Sequence, residues 1–418
     1  MGGMIRRDLL KTALAGAPAI LRGAQAGRAI KVGIVGCGGR GTGAAGQALK
    51  ADDYAELTAA ADLDVENIDK SLEALRKDAG EKVKVEAKNK FTGLDAYKQV
   101  IDAGVDVVIL TTPPGFRPLH LRYAIEQGKH VFCEKPIAVD APGVRHVMET
   151  AKMAKEKNLS IMAGFCWRRA LQIRAAVDQV KNGRIGDVVA YYATYYTSPV
   201  KPIPPAETRP AGMSDVEWQI RNWYNFCWTC GDSLVEQAVH SVDKVAWMMG
   251  DQPPASCVAV GGRQIPANGG NIYDHFEANY LYPNGTRAFV ACRQMENCFN
   301  ENADYVLGTK GVLTIRGGTP RIEGANPWEY SGPKNDMYQA ELDELFAGIR
   351  RGQPVNDGVW MATSTMLAMM GRMAAYTGIQ LTWEQAMQSQ ERIFPEKLEW
   401  NGTMAVGAMP MPGRTKFF

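Results

Sequence analysis

The sequence predicts an α/β protein in two parts: a doubly wound parallel sheet, then an α+β domain with a large open, mainly antiparallel sheet. Apolar runs alternate with helix-like stretches between residues 29 and 165, which is typical of βαβ units. From residue 166 onward, runs rich in aromatic and β-branched residues replace that alternation. A glycine-rich loop separates the first apolar run from the first helical stretch. These three observations together predict the fold class.

Length and composition set broad limits on the protein. Its 418 residues suggest two or three domains, and its 46% hydrophobic and 22% charged content is ordinary for a folded protein. The 47 basic residues nearly balance the 45 acidic ones without any long basic run, which argues against a nucleic-acid partner. Eight cysteines in this length are not the pattern of a disulfide scaffold. No segment after the N-terminus reads as a membrane span.

Residues 1–26 have the features of a twin-arginine signal peptide. Arg6 and Arg7 precede a short, mildly apolar stretch, and Ala24-Gln25-Ala26 fits a small-residue cleavage pattern. The order of these features predicts export to the periplasm by the twin-arginine route. Because this route carries folded proteins, a cofactor could be loaded before export.

The first apolar run, AIKVGIV, leads into the loop GCGGRG, which fits G-x-G-x-x-G. The next run, ELTAAADLD, reaches Asp62, 26 residues after Gly36. A strand, this loop, a helix and a later acid are the context of a dinucleotide site, where glycines let the backbone approach the pyrophosphate. Asp62 would accept hydrogen bonds from the adenosine ribose, and Leu63 leaves no adjacent arginine for a 2′-phosphate, which favours NAD over NADP. The loop contributes the predicted cofactor residues Gly36, Gly38, Gly39, Arg40 and Gly41.

The third run, VDVVILTTP, and the fourth, KHVFCEKP, complete the predicted parallel strands together with LSIMAGF. Lys135 follows the fourth run, at the carboxyl edge of the sheet, where ligands bind in open α/β folds. Its ammonium could hold a substrate hydroxyl and stabilise charge as the proton leaves. Taken alone, a surface lysine before a proline turn is the better interpretation.

The second half begins with VVAYYATYY and continues with a hairpin around Pro283-Asn284-Gly285 and a further pair of runs in VLGTKGVLTIRGG. Residues 335–378 look helical. We therefore expect a nucleotide-binding domain over 29–165, a substrate and oligomerisation domain over 166–378, and a tail over 379–418 that packs on both.

Glu236 and His240 lie four residues apart, on one face if the segment is helical. A carboxylate beside a histidine can fix its tautomer and favour its protonated form, which we take to suit a general base. A purely structural contact is the alternative. A metal pair is a weaker one, because no third ligand occurs at a convincing spacing, and we predict no metal.

Three of the nine tryptophans fall within eleven residues, between Trp218 and Trp228. Aromatic faces stack on sugar rings, and nearby Arg221 and Asn222 could bond hydroxyls; a hydrophobic core helix is the alternative. The C-x-x-C of Cys227 and Cys230 has no second pair, which favours packing over zinc or redox chemistry. The candidate substrate residues are Trp167, Arg168, Arg221, Trp223 and Tyr224.

The sequence resembles the Gfo/Idh/MocA family of oxidoreductases. The resemblance is carried by GCGGRG, Asp62, TTPPGFRPLH, GKHVFCEKP and the Glu236/His240 pair. The resemblance covers nearly the whole chain after the signal, and GKHVFCEKP is its most specific part. It implies an N-terminal Rossmann domain and a C-terminal open sheet through which family members commonly pair as homo-oligomers. It also implies hydride transfer between a nicotinamide and a secondary hydroxyl carbon of a sugar or cyclitol.

The resemblance also implies residue roles. The lysine of the family's E-K-P motif falls on Lys135, and its acid and histidine fall on Glu236 and His240. This chain has glutamate where the family usually has aspartate, and the segment from 113 to 120 is longer than the common pattern. The further cofactor residues are Thr112, Pro113, His120, Glu134 and Lys135.

The favoured function is an NAD-dependent dehydrogenase of a sugar or glycoside, with the cofactor tightly bound. In this hypothesis His240 takes the hydroxyl proton, Glu236 orients it, and Lys135 supports the developing oxyanion. Two alternatives stay open: redox-neutral glycoside cleavage through a 3-keto intermediate, and a non-catalytic sugar-binding protein. Release of free aglycone would favour the first alternative, and sugar binding without retained cofactor would favour the second.

Overall fold

The computed structural model describes residues 27–265 and 269–418, so the predicted signal peptide lies outside the described residues. Its first sheet is six-stranded and wholly parallel, in the order β3-β2-β1-β4-β5-β6. The central strands are buried on both faces, which explains their continuous apolar sequences. The strands are β1 (Ile30–Val35), β2 (Ala55–Asp62), β3 (Lys90–Thr92), β4 (Val107–Leu110), β5 (His130–Cys133) and β6 (Ile161–Ala163).

Helices connect these strands in βαβ units. The fifth begins after Asp140, whose side chain accepts from the backbone N–H of Gly143 at 2.8 Å, and Pro142 lies in its first turn. The strand order places the reversal of connections between β1 and β4, which is where ligands bind in doubly wound sheets. The connecting helices are α1 (Gly39–Ala51), α2 (Val65–Ala79), α3 (Ala96–Asp102), α4 (Arg117–Glu126) and α5 (Ala141–Glu156). Helix α6 (Leu171–Lys181) follows β6 and leads to the second sheet.

The second sheet has nine strands in the order β14-β13-β12-β11-β7-β10-β9-β8-β15. Every pair is antiparallel except β7 with β10, which run parallel, so the predicted fold class is confirmed. Gly285 has φ +86° in the turn of the β9–β10 hairpin, a conformation that glycine tolerates best. The strands are β7 (Val188–Thr197), β8 (Ser256–Gly262), β9 (His275–Leu281), β10 (Arg287–Gln294), β11 (Glu301–Gly308), β12 (Gly311–Arg316), β13 (Thr319–Gly324), β14 (Trp328–Glu329) and β15 (Leu381–Thr382).

Seven further helices follow in the described part of the chain, most of them beside the second sheet. The longest, α12, lies almost entirely inside the protein, between β8 and β9 on one side and α5 on the other. No helix among the described residues is both long enough and apolar enough to cross a membrane. The helices are α7 (Asp215–Arg221), α8 (Cys227–Cys230), α9 (Ser233–Glu236), α10 (Val239–Met248), α11 (Met337–Arg351), α12 (Gly358–Thr377) and α13 (Trp383–Gln388).

Helix α11 falls in the range expected for the second domain, yet it packs on α1 of the first. Its buried residues Leu342, Leu345 and Phe346 belong to the same apolar cluster as the β1 strand and α1. The Arg350–Asp52 ion pair, at 2.7 Å, fixes its C-terminal end to the same domain. The apolar stripe of α11 thus covers one face of the parallel sheet, a partner that local sequence does not reveal.

The tail after residue 378 contacts both domains. Strand β15 joins the edge of the second sheet beside β8. Farther on, the backbone N–H groups of Ile393 and Phe394 donate to Asp140 at 2.9 and 3.1 Å. The Phe394 ring packs edge-on against Phe116, 5.2 Å between centroids. The tail therefore packs on the loops at the carboxyl edge of the parallel sheet.

Candidate active site

A cleft of about 400 Å³ opens at the carboxyl ends of β1, β2 and β4. One wall comes from the first domain, including Gly36, Asp62 and Thr112. The opposite wall comes from the segment between β7 and α8. This second wall consists of Lys201, Ile220, Arg221 and Trp223.

The glycine loop fits a bound pyrophosphate. Gly36 has φ +99°, and a Cβ on it would lie 2.8 Å from the Thr111 hydroxyl; a Cβ on Gly41 would lie 1.9 Å from the Gly36 carbonyl. These two glycines are required by the close packing of strand and helix. Gly38 and Gly39 instead have no neighbour within 4 Å of a Cβ, so their backbone faces open space. That open space at a helix N-terminus suits a phosphate group.

Asp62 ends β2 and lines the cleft. Its carboxylate accepts from the backbone N–H of Cys37 at 2.7 Å, from Asn67 Nδ2 at 3.0 Å and from the N–H of Asp64 at 3.3 Å. These donors fix the carboxylate beside the glycine loop, the position of a group that binds the adenosine ribose. Leu63 follows it on the cleft wall.

Thr112, Pro113 and His120 also line the cleft, after β4. The Thr112 hydroxyl lies 3.2 Å from His120 Nδ1, and the His120 ring stacks on Tyr97 at 4.0 Å between centroids. Burial, with a smaller effect of Arg117, lowers the pKa of His120 to about 3. The imidazole is therefore neutral at pH 7 and acts as a packed wall of the cleft.

Two predicted cofactor residues, Arg40 and Glu134, have side chains that bond other groups of the protein. The Arg40 guanidinium bonds the Glu134 carboxylate and lies 3.6 Å from buried Glu341. Glu134 also accepts from the N–H of Lys135 at 3.1 Å and is 5% exposed. Arg40 and Glu134 stay predicted cofactor residues, and their side chains link α1, the end of β5 and α11.

Lys135 reaches across to the second domain. Its ammonium donates to the Glu236 backbone carbonyl at 2.6 Å and to Glu236 Oε1 at 3.1 Å. The two side chains are 12% and 5% exposed. Glu236 also accepts from Gln237 Nε2, and the Tyr195 hydroxyl donates to Gln237 Oε1 at 3.2 Å. A polar chain thus links the carboxyl edge of β5 to strand β7.

His240 does not pair with Glu236 as predicted. Helix α9 ends at Glu236 and α10 begins at Val239, and the Glu236 oxygens are taken by Lys135 and Gln237. His240 Nδ1 is buried without a hydrogen-bond partner. Burial, and then the charges of Lys135 and other cations, lower the pKa of His240 well below its usual range. The expected protonated form is therefore wrong, and the ring is a neutral imidazole.

Arg168 is not placed to bind substrate. Its guanidinium donates to Asp243 at 2.7 Å and to Asp251 at 2.6 Å, and it lies 3.9 Å from the centre of the Trp360 ring. The residue is 5% exposed. Trp167 packs on the core with Lys244 Nζ 5.2 Å from its ring centre. Arg168 is therefore a structural residue beneath α10, whereas half-buried Trp167 stays a candidate.

Arg221 and Trp223 lie on the cleft, although on the wall facing Asp62. Arg221 bonds both Asp64 oxygens, at 2.5 and 2.8 Å, and Glu217 Oε1 at 2.8 Å. Trp223 stacks on Tyr224 with 3.8 Å between centroids. The structure therefore places Arg221 and Trp223 at the part of the cleft predicted to hold the cofactor.

Lys135, Glu236 and His240 do not line this cleft. Asp64 and Gln237 were not predicted from the sequence. Asp64 could have been suspected because it follows Asp62 in ADLD, whereas no sequence pattern marks Gln237. Cys227 and Cys230 are buried thiols, and every cysteine within the described residues is free. Within 27–265 and 269–418, no cluster of three potential metal ligands occurs.

Comparison with known families matches both parts of the chain. Residues 30–165 match the oxidoreductase family with an NAD-binding Rossmann fold, and residues 173–314 match the GFO/IDH/MocA C-terminal domain. The chain belongs to the Gfo/Idh/MocA family. The predicted oxidoreductase activity and the NAD cofactor are thereby confirmed.

Three other Gfo/Idh/MocA proteins illustrate the likeness. An inositol 2-dehydrogenase of Rhizobium meliloti is 23% identical over 282 residues, 64% of this chain and 77% of the relative. An aldose-aldose oxidoreductase from Caulobacter crescentus, complexed with glycerol, has a TM-score of 0.67 at 19% identity, covering 85% of this chain and 100% of that one. A levoglucosan dehydrogenase with NADH and levoglucosan has a TM-score of 0.67 at 18% identity, covering 85% and 99%.

Proposed function

We propose that the protein is an NAD(H)-dependent dehydrogenase that acts on a secondary hydroxyl carbon of a sugar or glycoside and keeps its cofactor tightly bound. The observation that carries the proposal is the Lys135 ammonium, held by Glu236 at the carboxyl edge of β5. The sugar and cyclitol names of the related proteins support the substrate class.

The chain's own residues would hold the cofactor along the cleft. Gly38 offers its backbone to the pyrophosphate, Asp62 its carboxylate to the ribose, and Thr112 its hydroxyl on the wall after β4. When bound, the nicotinamide supplies hydride exchange with the carbinol carbon.

His240 and Lys135 have separate roles when the substrate hydroxyl loses its proton. A neutral imidazole can accept the hydroxyl proton, which a protonated one could not. The Lys135 ammonium stabilises the developing oxyanion, because it lies in a largely enclosed site where charges interact strongly. Glu236 positions that ammonium by accepting from it twice. This role for Glu236 replaces the predicted orientation of the histidine.

Substitution tests these roles. His240→Ala and Lys135→Ala should each lower kcat by about 10²–10⁴ with a responsive sugar, while bound NAD stays unchanged. His275→Ala is the control, because His275 is 42% exposed, pairs with Asp274 and lies on β9. Unchanged turnover in His240→Ala and Lys135→Ala would remove the proposal's catalytic residues.

The same assay separates the other activities. An aryl glycoside that releases free aglycone without net change in NADH would indicate redox-neutral cleavage in place of dehydrogenation. A protein that binds sugar but never retains NAD would indicate a binding function.

We also propose export by the twin-arginine route and assembly as a homo-oligomer. Replacing Arg6 and Arg7 by lysine should leave the protein in the cytoplasm, measured by cell fractionation. Sedimentation of the purified protein measures its mass, and a monomer would contradict the second proposal.

A further inference from the structure

Residues 198–226 form a cap over the cleft wall that carries Asp62. The cap begins after β7 with a segment that holds five prolines between 198 and 214. It continues through α7 and turns back into the protein before α8. Prolines limit the alternative conformations of such a segment. Its inner side supplies Lys201, Ile220, Arg221 and Trp223 to the cleft.

The outer side of the cap is fixed to the C-terminal tail. Gln219 Nε2 donates to the Met404 carbonyl at 2.7 Å, and the Met404 N–H donates to Asp215 at 3.0 Å. Val216 and Ile220 are buried in an apolar cluster that also contains Phe116. The cap is therefore an ordered unit of the fold.

One polar contact spans the cleft mouth. The Arg221 guanidinium bonds both oxygens of Asp64, two residues beyond the predicted ribose-binding Asp62. Among the described residues, these are the hydrogen bonds that join the cap to the first domain. The hydrogen bonds from Arg221 lower the pKa of the Asp64 carboxyl, which therefore stays ionised at neutral pH. Glu217 bonds Arg221 Nε at 2.8 Å and aims the guanidinium.

We propose that the cap encloses the adenosine half of bound NAD and that the Arg221–Asp64 pair is a latch that limits cofactor dissociation. A ribose held by Asp62 lies between the glycine loop and the cap, so the cap must open before the nucleotide leaves. Opening separates both hydrogen bonds of the pair. This inference rests on the proposed retention of NAD and identifies the residues responsible for it.

The test measures NADH dissociation from the holoenzyme by stopped-flow fluorescence, with excess NAD as the displacing ligand. Arg221→Met and Asp64→Asn should each speed release by about fivefold or more, with a smaller effect on association. The double variant should release NADH no faster than either single variant. Arg209→Met is the matched control, because the Arg209–Asp215 pair has side chains 30% and 33% exposed and lies wholly within the cap.

Several results would overturn the latch. These are unchanged release in both variants, an effect confined to association, additive effects in the double variant, or an equal effect of Arg209→Met. Wild-type protein that binds no NAD would overturn both the latch and the proposed function. Wild-type protein that binds NAD and shows the expected release rates but oxidises no sugar would contradict only the proposed function.

Discussion

Replacing Gly38 by alanine should separate cofactor binding from folding. Gly38 has φ −72° and ψ −176°, a conformation that alanine adopts freely, and its Cβ would meet nothing within 4 Å. We therefore expect the unliganded protein to change in stability by less than about 0.5 kcal/mol. The added methyl group occupies space that the proposed function gives to the pyrophosphate.

The expected loss of affinity follows from contact distances. A phosphate oxygen bonded to a backbone N–H lies about 2.9 Å from the nitrogen, whereas a carbon atom keeps neighbours about 3.5 Å away. The methyl group forces the phosphate to retreat and costs one hydrogen bond to a charged group, about 1.5–3 kcal/mol. The Kd for NAD should therefore rise by about 10- to 100-fold.

The assay combines NADH fluorescence titration of the cofactor-free protein with thermal melts, with and without NAD. Two neighbouring glycines provide controls. Gly41→Ala places a Cβ 1.9 Å from the Gly36 carbonyl, so it should destabilise the unliganded protein itself. Gly43→Ala meets only Arg40 at 3.8 Å within α1, so it should add about 0.5–1 kcal/mol of stability and leave binding unchanged. Wild-type affinity in Gly38→Ala would refute the assignment of the loop to the pyrophosphate.

Two further predictions concern buried charges. Arg168→Met should lower the free energy of unfolding by about 3 kcal/mol in denaturant melts, because Asp243 is left buried without its cation. The KM of the folded fraction should not change if the role of Arg168 is structural. Burial raises the pKa of Asp232 from its usual 3.8 to about 6, so the folded state holds its proton more tightly than the unfolded state. Protonated Asp232 therefore contributes to the free energy of unfolding. This contribution, on the order of 3 kcal/mol, is complete below about pH 4 and is lost as the pH rises to about 6. Asp232→Asn should flatten this slope in melts across that range, and an unchanged slope would contradict the assignment.

Local patterns predicted the elements whose structure depends on near neighbours. The alternation of apolar runs and helical stretches predicted β1, β2, β4, β5 and β6, because each buried strand and its covering helix are consecutive in the chain. The short edge strand β3, which is only partly buried, was not predicted. Gly36, Gly41 and Asp62 were identified from spacing alone, since their conformation and contacts arise within one βαβ unit.

Charged side chains were predicted less well, because their partners come from distant parts of the chain. Glu236 lies four residues from His240 in the sequence, yet its partner is Lys135, 101 residues away. Arg221 was expected to meet a sugar hydroxyl and instead bonds Asp64, 157 residues away. In a largely enclosed site an ionised group binds the nearest opposite charge, and only the tertiary fold determines which charge that is.

The tertiary fold also determines the charge of His240, which was predicted wrongly. A neighbouring carboxylate would have raised its pKa, whereas the fold surrounds the ring with buried apolar groups and with the charge of Lys135. The corrected state strengthens the proposed proton transfer, because a neutral ring has a free lone pair.

An NAD-loaded sugar dehydrogenase must carry nucleotide when it is purified. Purified protein is denatured and the released NAD and NADH are quantified by mass spectrometry, before and after incubation with a panel of sugars and glycosides. We predict near-stoichiometric nucleotide whose redox state changes with at least one sugar. Protein that carries no nucleotide, or that carries NAD whose redox state no sugar changes, would contradict the proposed dehydrogenase.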